Sequence, residues 1–292
     1  MDNLVAPPVV VGVDGSATAL DAVVWAADDC ARHHVPLLLV HCYSLPTRGY
    51  PDMLVNAQEL LTTLQDLGKQ WLDEAAVAAV AAAPGIAVQT RSVMTADIPQ
   101  LIDESAHARM VVVGSRGLGG FTGILLGSTA AALAAHAHSP TVVVRGTTTA
   151  DGPVVVGVDG SPTSEAAIGF AFEAASVREA PLTAVLSWTD SLLEGRVQST
   201  LFATAEGEIV QEQERVLAER LAGWQEKYPD VPVERLVVRD RPAAALLRIA
   251  EHARLLVVGS RGHGGFTGML LGSTSQALVN HAPCPVAIVR PV

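Results

Sequence analysis

The segment Gly114–Thr129, GSRGLGGFTGILLGST, returns almost unchanged at Gly259–Thr274 as GSRGHGGFTGMLLGST. Near the start of the chain, VVVGVDGS at residues 9–16 returns without change at residues 154–161. Both pairs are separated by 145 residues, a spacing close to the commonest size of a protein domain. The chain therefore reads as a tandem duplication. We expect two domains, 1–146 and 153–292, joined by a short linker of small and polar residues.

Each copy alternates between strand and helix patterns. In the first copy, the valine run Val9–Val13 ends at an Asp-Gly turn, and Ser16 can cap a helix whose apolar residues recur at helical spacing. The same order continues through predicted strands at Leu37–Cys42, Ile86–Val93, Met110–Val113 and Thr141–Arg145, and predicted helices at Asn56–Ala82, Ala96–His107 and Ser128–His136. Continuous Val and Leu runs predict strands covered on both faces, and intervening helices predict parallel pairing. Each copy is therefore predicted to be a doubly wound α/β domain.

Composition narrows the class of protein. The 292 residues are 49% hydrophobic and carry a formal net charge of -11, which disfavours binding to nucleic acid because an acidic surface repels phosphates. The apolar runs stop at about six residues, whereas a membrane helix needs about 20, so we expect no membrane span. The three cysteines, Cys30, Cys42 and Cys284, show no CxxC spacing, and the N-terminal segment lacks a signal-peptide pattern. These features predict a cytoplasmic location.

The glycine-dense segments predict where a ligand binds. In open parallel sheets, ligands bind beyond the carboxyl ends of the strands, where the strand order reverses. Gly114, Gly117 and Gly127 follow the fourth strand and lead into a helix that starts with two hydroxyl residues, Ser128 and Thr129. Helix-start N–H groups and hydroxyls favour an anion, and glycines permit close approach of the backbone. The pattern predicts a phosphate site, with a purely structural turn as the alternative.

Motifs for efficient catalysis are missing from the sequence. There is no GxxxxGK[ST] segment to supply a phosphate-binding lysine, and no GxSxG segment to supply a serine nucleophile. The nine histidines show no paired spacing typical of metal ligands. We therefore predict no catalytic residues and no metal site built from protein side chains alone.

Four stretches of each copy together carry a family resemblance. They are VVVGVDGS, the strand ending in LVHCYS in the first copy, VVVGSRG or its match followed by nine residues and GST, and a last strand in SPTVVVR or CPVAIVR. The chain resembles the universal stress protein family in its tandem, ATP-binding form, over essentially its whole length. The resemblance implies Rossmann-like domains, each an open five-stranded parallel sheet of order 3-2-1-4-5 with helices on both faces. It also implies ATP with Mg²⁺ between the first and fourth strands. Tandem members are linked to hypoxia, nitrosative stress and dormancy in mycobacteria and other actinobacteria.

The resemblance also implies a set of pocket residues, to which the glycine-loop arginines Arg116 and Arg261 are added as possible cations for the phosphates. In the first copy the pocket would comprise Gly12, Asp14, the backbone of Cys42, Val113, Gly114, Arg116, Gly117, Gly127, Ser128 and Thr129. In the second copy it would comprise Gly157, Asp159, Ser187, Val258, Gly259, Arg261, Gly262, Gly272, Ser273 and Thr274.

The two aspartates after the first strands, Asp14 and Asp159, leave three interpretations open. A carboxylate near a triphosphate is repulsive unless it meets donors of the nucleoside or a metal ion. We favour a nucleoside contact and place a metal-linked role second. An Asx-turn or helix cap with no ligand role is the third possibility.

Three functions are compatible with this sequence. The first is a regulator with one ATP site per domain and little catalysis, whose ATP occupancy changes its shape or its partners. The second is a slow ATPase, and the third is a scaffold for protein partners that binds another adenine nucleotide such as cyclic AMP. The resemblance further implies that fifth strands pair, either between the two domains of one chain or between two chains as a homodimer. No protein partner is identified by the sequence.

Overall fold

Strands and helices alternate along both halves of the chain. The computed structural model describes residues 6–44, 57–118, 126–147, 149, 151–189, 201–262 and 270–291. The chain divides into two compact units, the first ending at Arg145 and the second beginning at Gly146. Each unit is an α/β domain, as the sequence predicts.

The first unit contains five strands and four helices among its described residues. They are β1 (Val9–Gly12), α1 (Ala17–His33), β2 (Leu37–Tyr43), α2 (Ala57–Ala82), β3 (Val88–Met94), α3 (Asp97–Ser105), β4 (Met110–Gly114), α4 (Ser128–His136) and β5 (Thr141–Val144). The predicted start of the second helix, Asn56, lies outside the described residues. Every other predicted end in this unit lies within two residues of the observed end, and the helix predicted at Ser128–His136 coincides with α4.

The second unit repeats this order. Its elements are β6 (Val154–Val158), α5 (Pro162–Val177), β7 (Leu182–Trp188), α6 (Leu201–Lys227), β8 (Val233–Arg239), α7 (Pro242–Ile249), a short 3₁₀ turn (Ala250–His252), β9 (Leu255–Gly259), α8 (Ser273–His281) and β10 (Val286–Val289).

The strand order places β1 and β4 side by side in the first unit. Within it the order is β3-β2-β1-β4-β5, and the second unit has β8-β7-β6-β9-β10. Val9 of β1 is in register with Leu37 of β2 on one side and with Met110 of β4 on the other, in parallel pairs. The order therefore reverses between β1 and β4, and between β6 and β9. The predicted order 3-2-1-4-5 is confirmed in both units.

Valine-rich central strands form the core of each sheet. Val10 of β1 and Val112 of β4 are fully buried, as are Val155 and Val257 in the second unit. Burial of one such side chain stabilises the fold by about 1.5–3 kcal/mol. By contrast, most of β3 is exposed and carries the polar run Gln89–Ser92. Polar side chains on a strand at the end of a sheet discourage pairing with other chains.

Among the described residues, none of the helices combines the length and the apolar character that a membrane span requires.

Candidate functional site

A cavity of about 570 Å³ lies at the carboxyl ends of the central strands of the first unit. All ten residues that the sequence analysis selected in this copy line it: Gly12, Asp14, Cys42, Val113, Gly114, Arg116, Gly117, Gly127, Ser128 and Thr129. They come from the ends of β1, β2 and β4 and from the start of α4. Parallel strands that end at one edge of the sheet explain why residues so distant in sequence meet here.

The second unit has a matching cavity of about 660 Å³. All ten residues selected in the second copy line it: Gly157, Asp159, Ser187, Val258, Gly259, Arg261, Gly262, Gly272, Ser273 and Thr274. The two cavities are therefore built from the same positions of the repeat, 145 residues apart.

The backbone of the first helix leaves no room for a side chain at the end of the fourth strand, where glycine stands in both units. A Cβ added to Gly114 would lie 2.6 Å from the backbone carbonyl of Thr18 in α1. The Thr18 hydroxyl donates a hydrogen bond to the carbonyl oxygen of Arg116. Thr163 repeats both contacts with Gly259 and the carbonyl oxygen of Arg261. Protein packing alone therefore accounts for this glycine, so its presence does not by itself indicate a ligand.

Asp14 joins the first strand to the glycine loop. Its Oδ1 accepts hydrogen bonds from the backbone N–H and the hydroxyl of Ser16, at 3.0 and 2.7 Å. Its Oδ2 accepts from the backbone N–H of Leu118 at 3.0 Å, and a Cβ on Gly117 would overlap this oxygen. The Asx-turn contact is thus present, and the carboxylate also holds the loop in place.

Asp159 makes the same turn in the second unit. Its Oδ1 accepts from the backbone N–H of Ser161 at 3.0 Å, and its Oδ2 lies where a Cβ on Gly262 would be. Because the contact occurs in both copies, it is a feature of the repeat.

The start of α4 offers unpaired backbone donors to the cavity. Gly127 is the N-cap residue and provides no side-chain hydrogen bond to the first turn, while its own N–H donates to the carbonyl oxygen of Ser115 at 2.8 Å. Gly272 caps α8 in the same way and donates to Ser260 at 2.8 Å. The first N–H groups of a helix have no intrahelical partner and carry partial positive charge. Each cavity therefore has one end suited to an anion.

One wall of each cavity contains no residue predicted from the sequence. In the first unit this wall comes from Thr95, Ala96, Asp97 and Leu101, at and after the end of β3. The carboxylate Oδ2 of Asp97 accepts a hydrogen bond of 2.5 Å from the hydroxyl of Thr129. In the second unit, Pro242 and Leu246 occupy the positions of Asp97 and Leu101. Comparing the two copies position by position shows this change from Asp to Pro, directly after the changes from Thr95 to Asp240 and from Ala96 to Arg241.

The two leucines of this wall explain another selected glycine. A Cβ on Gly12 would lie 3.0 Å from Cδ1 of Leu101, and a Cβ on Gly157 would lie 3.0 Å from Cδ1 of Leu246. The apolar wall therefore packs directly on the end of the first strand. The two leucines give each cavity a hydrophobic side.

Cys42 and its counterpart Ser187 lie at the end of the second strand of each unit. Burial raises the pKa of the Cys42 thiol to about 11, and the negative charges of Asp97 and Glu104 add to the increase. The Ser187 hydroxyl donates to the carbonyl oxygen of Asp240 at 2.5 Å. Both side chains are neutral near pH 7, so they add no charge to this part of the cavity.

Within the described part of the chain, no three His, Cys, Asp or Glu side chains come together as a metal-binding group.

Comparison with known proteins gives a consistent family match. Residues 7–145 and 152–290 each match the model of the universal stress protein family. Universal stress protein Rv2005c of Mycobacterium tuberculosis is 41% identical over 290 residues, which cover 97% of this chain and 96% of the relative. Universal stress protein Rv2623 of the same organism is 39% identical over 292 residues, with the same coverage of both chains.

One solved structure shares the fold over nearly the whole chain. A universal stress protein from Archaeoglobus fulgidus aligns with 98% of this chain and 96% of its own, with 20% identity and a TM-score of 0.70. A universal stress protein solved in complex with cAMP covers 48% of this chain at 27% identity, with a TM-score of 0.35. That similarity is too low for its ligand to be carried over to this chain.

Proposed function

The chain belongs to the universal stress protein family, and from that membership we propose that each of its two units binds one molecule of ATP. The observation that carries the proposal is the agreement between motif and cavity. Twenty residues were selected from the sequence for a nucleotide, and they line two separate cavities, ten in each. Volumes of about 570 and 660 Å³ fall within the usual range of about 300–1,000 Å³ for small-molecule sites.

The phosphates would bind at the start of α4 and of α8. In the first unit, the N–H groups of Ser128 and Thr129 belong to the first turn of the helix, and Arg116 lines the same cavity. Backbone donors, the helix dipole and a guanidinium group together favour a polyanion.

The nucleoside would bind between the end of β2 and the apolar wall. Val40, Cys42 and Leu101 line this side of the first cavity, and Val185, Ser187 and Leu246 line it in the second. Apolar side chains suit the faces of an adenine ring, and backbone groups at a strand end suit its polar edge. Specificity for ATP over other adenine nucleotides is part of the proposal.

Mg²⁺ would fit the first cavity together with the phosphates. Magnesium is usually held by one or two carboxylates, with water and phosphate oxygens completing its shell. Asp14 and Asp97 are the carboxylates that line this cavity. When bound, the ion would neutralise part of the phosphate charge, and the carboxylates would fix its position.

We favour regulation over turnover as the role of the bound ATP. Both oxygens of Asp14 accept hydrogen bonds from the protein, an arrangement that suits a structural carboxylate better than a general base. Mycobacterial relatives are named universal stress proteins, which supports a role in the stress response. A cytoplasmic location and a role of the hypoxia or dormancy type are parts of the proposal that come from the family resemblance. A slow ATPase is the alternative, and turnover at typical enzyme rates of about 1–1,000 per second would favour it.

The first experiment is to purify the protein without added nucleotide, denature it, and identify the released small molecules by chromatography and mass spectrometry. ATP approaching two molecules per chain is the expected result. If none is released, titration with ATP and Mg²⁺ must still saturate two sites. Failure of both measurements would overturn the proposal.

A pair of double variants localises the sites. Gly117→Ala with Gly262→Ala places a methyl group against both aspartates, and ATP occupancy should fall strongly. Gly207→Ala with Gly223→Ala is the matched control, because a Cβ at either position meets nothing within 4 Å. The control should keep the occupancy of the unaltered protein.

A further inference from the structure

The two cavities differ in charge at one aligned position. Asp97 of the first unit aligns with Pro242 of the second, and both line their cavities. The preceding residues Thr95 and Ala96 also line the first cavity, and they align with Asp240 and Arg241, which are not among the lining residues of the second. Proline cannot carry charge or accept a hydrogen bond through its side chain. Among the described residues, the charged side chains that line the first cavity are Asp14, Asp97 and Arg116, whereas those that line the second are Asp159 and Arg261.

The carboxylate of Asp97 lies at the end of the cavity that suits an anion. Its Oδ2 accepts a hydrogen bond of 2.5 Å from the hydroxyl of Thr129, in the first turn of α4. The carboxylate thus stands near the helix N-terminus and uses a hydroxyl donor that a phosphate would otherwise receive. Among the residues that the structure describes, the matching hydroxyl of Thr274 has no hydrogen-bond partner and can donate to a ligand.

One further acidic residue near the first cavity, Glu104, aligns with an uncharged residue in the second unit. Glu104 of α3 lies close enough for its charge, together with that of Asp97, to raise the pKa of Cys42 after the larger effect of burial. Glu104 also contacts Arg91 at 2.5 Å, which offsets part of its charge. The residue that aligns with Glu104 in the second unit is Ile249, which is uncharged.

Both units carry an arginine directly after the fifth strand, Arg145 in the first and Arg290 in the second, so this residue does not distinguish the two sites. Arg290, at the residue after β10, donates to the carbonyl oxygen of Leu270 at 3.1 Å, close to the N-cap Gly272. Burial lowers the pKa of Arg290, and the positive charge of Arg261 lowers it further. Two guanidinium groups that repel each other at the phosphate end would both be stabilised by an anion.

We propose that Asp97 makes the two nucleotide sites non-equivalent, so that the first site binds metal-free ATP more weakly than the second and favours ligands with less phosphate charge. This inference rests on the proposed function, because it assigns specificity within the same two cavities. Asp97 acts here as a specificity-determining residue, through charge repulsion and by occupying the Thr129 hydroxyl.

Calorimetric titration of the full chain with ATP and with adenosine, both in EDTA, tests the proposal. The unaltered protein should show two classes of ATP site. Asp97→Asn keeps an acceptor for Thr129 but removes the charge, and should tighten the weaker class by about tenfold while leaving the stronger class unchanged. Adenosine has no phosphate, so its affinity should not change, which also shows that the pocket remains folded.

Asp103→Asn is the matched control. Asp103 is an exposed residue of the same helix, and it does not line the cavity. The substitution removes the same formal charge as Asp97→Asn. Asp97 is also exposed, but it lines the cavity, whereas solvent screens the charge of Asp103 from the phosphates, so ATP affinity should stay within about twofold. Equal effects of Asp97→Asn and Asp103→Asn would overturn the proposal.

A carboxylate introduced at the aligned position of the second unit provides an independent test by the same ATP titration. Pro242→Asp introduces the carboxylate into the second unit and should weaken the stronger ATP class towards the weaker one. Two equivalent ATP sites in the unaltered protein, or a stronger class that Pro242→Asp leaves unchanged in a folded variant, would contradict the inference and leave the proposed function intact. Absence of binding by both ATP and adenosine would instead contradict the proposed function.

Discussion

Two glycines of the first unit have left-handed backbones but very different surroundings. Gly15 has φ of +82°, and a Cβ there would overlap the ring of Trp71 in α2. Gly85 has φ of +92°, and a Cβ there would meet nothing within 4 Å. Only Gly15 is therefore constrained by both backbone conformation and packing.

Alanine substitutions at Gly15 and Gly85 should separate the cost of the left-handed backbone from the cost of the clash with Trp71. Gly85→Ala should lower the free energy of unfolding by about 1 kcal/mol, the usual cost of a left-handed backbone for an L-residue. Gly15→Ala should lower it by more than about 3 kcal/mol, because Trp71 must also move. Urea unfolding measures both values, and similar losses for the two variants would show that Trp71 adapts without cost.

Because the Cys42 thiol is buried, we expect the free energy of unfolding to depend on pH in the alkaline range. Burial raises its pKa from the ordinary 9.0 to about 11, so the folded thiol stays neutral where the unfolded thiol ionises. The unfolded state therefore binds fewer protons between about pH 9 and pH 11, and the free energy of unfolding falls across this window. Below about pH 9 the thiol is neutral in both states, so the stabilisation from burying the neutral Cys42 thiol is fully present.

Cys42→Ser isolates this contribution, since the aligned residue of the second unit is Ser187. Unfolding by urea at several pH values should show a shallower loss of stability above pH 9 in the variant. Between pH 6 and 8 the two proteins should show the same pH dependence. Parallel curves above pH 9 would mean that Cys42 ionises normally in the folded protein.

Local motifs predicted the glycine loop after β4 and the start of α4, whereas the family resemblance supplied Gly12, Cys42 and Val113 at the strand ends. Glycine spacing and the GST segment identify a loop and a helix start by their own chemistry. Asp97 was missed because its place beside Thr129 depends on how α3 and α4 pack after two crossovers. No pattern within ten residues of Asp97 encodes that contact, although the repeat makes its replacement by Pro242 visible.

At the scale of the elements, serine caps connect the first strand to the first helix in each unit. The Oγ of Ser16 accepts from the backbone N–H of Ala19 at 3.2 Å, and also donates to Asp14 at 2.7 Å. Ser161 caps α5 by accepting from the N–H of Ser164 at 3.2 Å. Each serine therefore fixes a helix start beside the cavity.

Ser16→Ala should lower the free energy of unfolding by about 1 kcal/mol, the usual cost of losing a serine cap. It should also weaken ATP binding to the first unit only, because Asp14 loses one of its donors. Urea unfolding and ATP titration measure the two effects. Ser161→Ala serves as the matched variant in the second unit, and a change in both ATP sites from either single variant would contradict this account.

Strand prediction succeeded where burial is continuous and was less accurate at the end of the sheet. The valine runs predicted β1 and β4 to within one residue at each end. The third strand was predicted at Ile86–Val93, whereas β3 covers Val88–Met94. Its polar run Gln89–Ser92 is exposed, so hydrophobicity carries little information about where the strand begins and ends.

At the scale of the whole molecule, each half contains five parallel strands and its own buried core. Each unit has all five strands of the order 3-2-1-4-5. The residues of its central strands are buried within that unit. A domain with its own core is expected to fold alone. Fragments 1–146 and 153–292 should therefore each fold and bind one nucleotide.

The fragments also test the predicted role of the fifth strand. In fragment 1–146, the strand TVVV of β5 pairs with β4 on one side, and its other edge would present unpaired backbone groups on an apolar strand. Such edges associate with other strands, so the fragment should form dimers in sedimentation equilibrium. Circular dichroism and ATP titration on the same samples separate the possible failures. An unfolded fragment would contradict independent domains, whereas a folded, ATP-binding fragment that stays monomeric at all concentrations would contradict fifth-strand pairing.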